Sequence, residues 1–95
     1  MKLKESELNN TLKKLKNKDV IIEIIEDFKT RIEFYNIYIY FNSTTGMIYI
    51  KDYTKKNLMT INITTVCYID FKNGNLKIQL DNSVIKIKNK SWRRM

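Results

Sequence analysis

The chain has no histidine and no proline, only two glycines, Gly46 and Gly74, and a single cysteine, Cys67. Each shortage closes a class of function. Without histidine the commonest acid–base group and metal ligand is missing, so a metal site would need carboxylates alone. The ten acidic residues show no ligand spacing. Two isolated glycines cannot build a glycine-rich phosphate loop. One cysteine permits no intrachain disulfide, which suits a reducing compartment. No histidine stands by to activate Cys67, and the strand register argued below puts it beside Leu80 as a small core residue. Glu26 and Asp27 are adjacent carboxylates without an apolar setting. These shortages point away from catalysis, metals and cofactors. No apolar run resembles a signal peptide or spans a bilayer, so a soluble cytoplasmic protein is expected.

Arginine is scarce too, at 3 of 18 basic residues, which weakens any case for bidentate base or phosphate recognition. What remains is a 95-residue chain, 43% hydrophobic and 12% aromatic, enough for one domain around one modest core. Its net charge of +8 suits an anionic partner such as nucleic acid, an acidic protein or a membrane surface. The abundance of Lys, Asn and Ile together, residues with AT-rich codons, offers a second origin for the same charge. Domains of this size are marginal alone, which makes a homo-oligomer the expectation.

The segment 5–18, "ESELNNTLKKLKNK", predicts an amphipathic helix. Ser6 would be its N-cap and Leu8, Leu12 and Leu15 its buried stripe. Lys13, Lys14, Lys16 and Lys18 crowd the far face and the C-terminal end, where positive charge suits the helix dipole. The segment 19–28, "DVIIEIIEDF", fits a helix face by spacing, but its density of β-branched residues favours a strand. It carries four of the ten acidic residues and so stands apart from any anion-binding surface.

From Thr30 onward a β-meander is expected. A turn in "NSTTG" pairs Tyr40 with Tyr49 and Ile39 with Ile50. A two-residue loop at Lys55-Lys56 pairs Ile50 with Ile61 and Ile48 with Ile63. Asn73-Gly74 is a strong type I′ hairpin signal, pairing Phe71 with Leu76, Ile69 with Ile78 and Cys67 with Leu80. A turn at Asn82-Ser83 pairs Leu80 with Ile85 and Ile78 with Ile87. All four turns put aliphatic partners on one face, and a one-residue slip would expose each set.

The segment 58–71 would be about 46 Å long if straight, at roughly 3.3 Å per residue. It must bend and serve two sheets. The segment 30–42 is similarly long, and its apolar parity slips near Tyr35-Asn36, which predicts a bulge. The expected fold is α+β, mainly β. An N-terminal helix precedes a meander over 19–88 of five or six antiparallel strands, strongly bent or closed into a small barrel, with a basic tail at 89–95. Sm-like small barrels share this outline, and pleckstrin-like barrels share its strand part, but the chain carries no residue motif of either.

The register lists the outward side chains. Tyr38, Tyr40, Tyr49, Lys51 and Tyr53 gather on one hairpin, and Lys77, Lys86 and Lys88 lie farther along the meander. The expected face is aromatic at one end and basic at the other. Bases stack on exposed rings while lysines track phosphates. Trp92, Arg93 and Arg94 in "SWRRM" add an aromatic and two cations on the tail. Nucleic-acid binding is the leading expectation. The alternative is a protein–protein module, an inhibitor or assembly subunit, using the same tyrosine face. The same rings could equally be cross-strand pairs that stabilise the sheet.

Overall fold

The computed structural model describes residues 5–66 and 68–90. A short helix, α1 (Glu5–Leu12), runs into a 3₁₀ turn at Lys13–Leu15. Eight strands follow: β1 (Val20–Ile25), β2 (Lys29–Phe34), β3 (Ile37–Asn42), β4 (Met47–Asp52), β5 (Leu58–Asn62), β6 (Tyr68–Lys72), β7 (Asn75–Gln79) and β8 (Val84–Asn89). They form two antiparallel sheets, one in the order β2-β1-β8-β7-β6 and one in the order β3-β4-β5.

The segment 19–28 is a strand, as its β-branched density predicts, but β1 stops at Ile25. Phe28 therefore sits at the tip of the β1–β2 hairpin and is 83% exposed rather than on an apolar face. Eight strands replace the expected five or six because both long segments break. The chain turns between β2 and β3 at Asn36, whose φ of 51° places it in the left-handed region that Asn tolerates better than most residues. Between β5 and β6 it turns again through the segment after Asn62. Both edge strands of the larger sheet thus run on in the chain into both edge strands of the smaller one. Each long segment serves two sheets, as its length requires. Among the described residues no ladder of hydrogen bonds joins the sheets into a closed barrel.

The arrangement also departs from a simple meander. β1 pairs with β8, bringing Ile22 opposite Ile87 and Ile24 opposite Ile85. Two turns differ from expectation. Lys55-Lys56 is not a two-residue loop: a type I′ turn needs φ > 0 at both residues and a type II′ turn at the first, whereas only Lys56 adopts it, at 60°. Residues 53–56 loop out instead, and the Asp52 N–H donates to the Asn57 carbonyl at 2.8 Å. Ile48 therefore faces Ile61 and Ile50 faces Met59. At the last turn the Leu80 N–H donates to Ser83 O at 2.8 Å, so Asp81 and Asn82 form the loop and Ile78 faces Ile85. Both slips are by two residues, which leaves every side chain on its expected face. Asn73 and Gly74, at φ 55° and 76°, form the expected tight hairpin with Phe71 opposite Leu76 and Ile69 opposite Ile78. The Cys67 assignment lies outside the described residues.

One core results. Ile37, Ile39, Phe41, Ile48, Ile50 and Ile61 from the small sheet meet Val20, Ile22, Leu76, Ile78, Ile85 and Ile87 from the large one. Burying each such side chain contributes about 1.5–3 kcal/mol. Leu8, Leu12 and Leu15 are buried in the same cluster, so the leucine stripe faces inward as predicted. Ser6 does not cap the helix, since α1 already includes Glu5. The Asn9 amide does unexpected work on the edge of β3. Its Nδ2 donates to Phe41 O at 2.9 Å and its Oδ1 accepts from Phe41 N at 2.8 Å. One side chain thus pairs with an edge strand as a neighbouring strand would. At the other end of β3, Asn17 N donates to Ile37 O and Ile37 N donates to Lys18 O.

Candidate functional site

The tyrosines gather as the register predicts. Tyr40 lies opposite Tyr49 and Tyr38 opposite Lys51. The Tyr40 and Tyr49 rings stack at 5.1 Å between centroids with 24° between planes. Tyr38 tilts against Tyr40 at 5.6 Å and against Tyr53 at 6.3 Å. Tyr38, Tyr40 and Tyr53 are exposed, although Tyr53 sits in the loop after β4 rather than on the strand. Together with Tyr49, Lys51 and Leu58 they line a shallow concavity of about 360 Å³ that no acidic side chain enters.

Two lining features escape a sequence reading. Leu58, 65% exposed, joins the rim because it stands opposite Lys51. The two-residue register slip conceals that pairing, since a loop at Lys55-Lys56 would put Thr60 there. Lys16 places its Nζ 4.7 Å from the Tyr38 ring centroid. That contact depends on the 3₁₀ turn ending at Leu15 and on the left-handed backbone of Asn17, whose φ is 62°. The helix end therefore supplies a cation to one edge of the patch. Lys51 lies 5.7 Å from the Tyr53 ring.

Lys77, Lys86 and Lys88 occupy the outward face of the other sheet. One row across that sheet reads Arg31, Glu23, Lys86, Lys77, Asp70. This face is mixed in sign rather than purely basic. Glu23, only 5% exposed, has the Lys88 ammonium at 3.1 Å and that of Lys29 at 3.5 Å. The acidic stretch thus stands within the basic strip, because β1 lies beside β8. Burial pushes the Glu23 carboxyl up, but Lys88 and Lys29 outweigh it and hold its pKa below the ordinary value. Tyr35 donates its hydroxyl to Glu33, which Lys90 and Arg31 also approach at 3.4 and 3.6 Å. That hydrogen bond, with Lys90 beside it, lowers the Glu33 pKa. The same bond, with partial burial and the negative charge of Glu33, raises the pKa of Tyr35. Trp92, Arg93 and Arg94 lie outside the described residues.

Among the described residues no group of three or more acidic or cysteine side chains could hold a metal ion, and no helix is long and apolar enough to cross a membrane. Comparison with protein families, curated proteins and solved structures finds no match to this chain.

Proposed function

We propose that the protein is a non-enzymatic binding module that takes single-stranded nucleic acid on the tyrosine concavity of β3 and β4. One observation carries this reading. Three exposed rings and a fourth stacked behind them share a basin with Lys51, with Lys16 at its edge and no carboxylate in its walls. Exposed rings offer every base a stacking face, at about 1–3 kcal/mol per base, and lysines on the rim follow the phosphates. Lys77 and Lys86, with Trp92, Arg93 and Arg94 of the tail, belong to the same proposal as outlying backbone contacts. Lys88 is the weakest member, since Glu23 already pairs with it.

The test combines Tyr40→Ala with Tyr49→Ala and measures binding to labelled oligothymidine at several salt concentrations. The native protein should bind with a steep salt dependence. The double variant should lose binding and keep its far-UV circular dichroism. Unfolding of the double variant would make the rings structural and end the platform reading.

A second reading rests on Leu58. An exposed leucine beside four tyrosines resembles the core of a protein-recognition patch, for an acidic partner or a second copy of this chain. Salt-tolerant self-association that Leu58→Ser abolishes, without oligonucleotide binding, would favour it.

A further inference from the structure

A second concavity lies where the 3₁₀ turn after α1 meets the β6–β7 hairpin. It holds about 410 Å³ and is lined by Lys14, Lys18, Phe71, Asn73, Gly74 and Asn89, with no acidic side chain among them. That size falls within the range of small-ligand sites. Its chemistry is that of a nucleotide site in miniature. Phe71 is half-buried and presents a ring, over which the Lys14 ammonium sits at 5.3 Å from the centroid. Lys14 and Lys18 are exposed, and neither forms an ion pair among the described residues, where the pairs use Lys29, Arg31, Lys88 and Lys90. Asn73 is exposed and carries a side-chain amide that suits the polar edge of a base.

The chain also connects the two concavities. Lys14 reaches Phe71 of the larger sheet, while Lys16, two positions on, reaches Tyr38 of the smaller one. The end of the helix is thus a cationic ridge with an aromatic surface on each side.

We propose that this cleft is a second nucleotide subsite of one continuous single-strand path. It would take a base against Phe71 and a phosphate between Lys14 and Lys18, with the strand crossing Lys16 from the tyrosine concavity. The inference rests on the nucleic-acid reading above and adds the direction of the path. On binding, Lys14 exchanges the Phe71 ring for the phosphate.

Fluorescence anisotropy with a labelled twelve-residue oligothymidine tests it, using Lys14→Gln with Lys18→Gln, and separately Phe71→Leu. The lysine pair should weaken binding about tenfold and reduce the slope of log affinity against log salt by about 0.7, for the one phosphate the two lysines share. Phe71→Leu keeps the apolar packing, so it should weaken binding about tenfold at unchanged slope. In the unsubstituted protein, the Asn73 and Gly74 amide resonances should shift on adding the oligonucleotide. Three results would overturn the proposal and leave the tyrosine reading standing. They are binding unaffected by the lysine pair, a Phe71→Leu variant that binds normally, and unmoved Asn73 and Gly74 resonances while Tyr40→Ala with Tyr49→Ala abolishes binding. If the unsubstituted protein does not bind the oligonucleotide at all, both readings fall together.

Discussion

Asp52 illustrates what one residue does in this molecule. It is fully buried at the end of β4, and its carboxylate serves two separate strand junctions. Oδ2 accepts from Tyr35 N at 3.1 Å, at the corner between β2 and β3. Oδ1 accepts from Lys55 N at 2.8 Å, inside the β4–β5 loop, while the Asp52 carbonyl accepts from Lys56 N at 2.7 Å. A buried carboxylate is tolerated here because backbone donors satisfy it. Asp52→Ala strands two N–H groups and should cost about 3 kcal/mol, at roughly 1.5 kcal/mol for each hydrogen bond to a charged acceptor. Asp52→Asn keeps one acceptor oxygen and should cost about half as much. Urea denaturation of the two variants checks the order. Equal stability of Asp52→Ala and the unsubstituted protein would show that neither junction depends on this side chain.

At the scale of elements, the protection of the β3 edge is the feature most open to test. Asn9→Ala removes both hydrogen bonds to Phe41 while leaving the leucine stripe intact. At about 0.5–1.5 kcal/mol per bond the loss should total about 1–3 kcal/mol, and Tm should fall by roughly 4–8 °C for each kcal/mol. Thermal denaturation followed by circular dichroism reads it out. The β3–β4 turn supports a second prediction. Gly46 has a φ of 71°, and a Cβ there would meet Thr64 Cγ2 at 2.7 Å. Its N–H donates to Asn42 O, and its carbonyl accepts from Ile63 N where the chain leaves β5. Gly46→Ala should therefore cost about 1–2 kcal/mol for the left-handed backbone, with the Thr64 contact adding to it. Thr64→Ser removes the obstructing methyl and should recover part of the loss in the double variant.

These elements also mark how far the sequence could be read. Side-chain parity was legible throughout, because period-two alternation survives a slip of two residues. Asn73-Gly74 was legible to the residue, since its backbone demands those two residue types. The register after Asp52 was not. A four-residue loop held by an aspartate side chain leaves no signal as sharp as Asn-Gly, and Lys55-Lys56 looked like the turn by position alone. The tyrosine patch followed from parity and was legible. The Phe71 cleft was not, because it joins a helix end to a hairpin far away in the chain. The β1–β8 pairing was hidden for the same reason, and with it the placing of Glu23 among the lysines.

On the scale of the whole molecule, charge decides how the fold responds to pH. The chain carries eighteen basic residues against ten acidic ones, so each carboxylate that protonates leaves the excess less compensated. Glu23 and Glu33 both have pKa values below the ordinary one in the folded protein. The unfolded chain therefore binds protons more readily than the folded one as pH falls. Their contribution is fully present above an ordinary carboxylate pKa, about 4.3, and is lost as pH falls through the lowered folded values. Tyr35 has the opposite sign. Its pKa is raised, so its contribution is present below about 10 and is lost as pH rises through the folded value. Glu23→Gln isolates the first effect. The variant keeps the shape but loses the charge between Lys88 and Lys29, so it should be less stable than the unsubstituted protein at pH 7. The two urea midpoints should begin to converge as pH falls below the ordinary carboxylate value, about 4.3, and meet once pH has passed through the lowered pKa of folded Glu23. A gap that stays constant from pH 7 to pH 3 would show that the variant acts through packing or hydrogen bonding rather than through the charge.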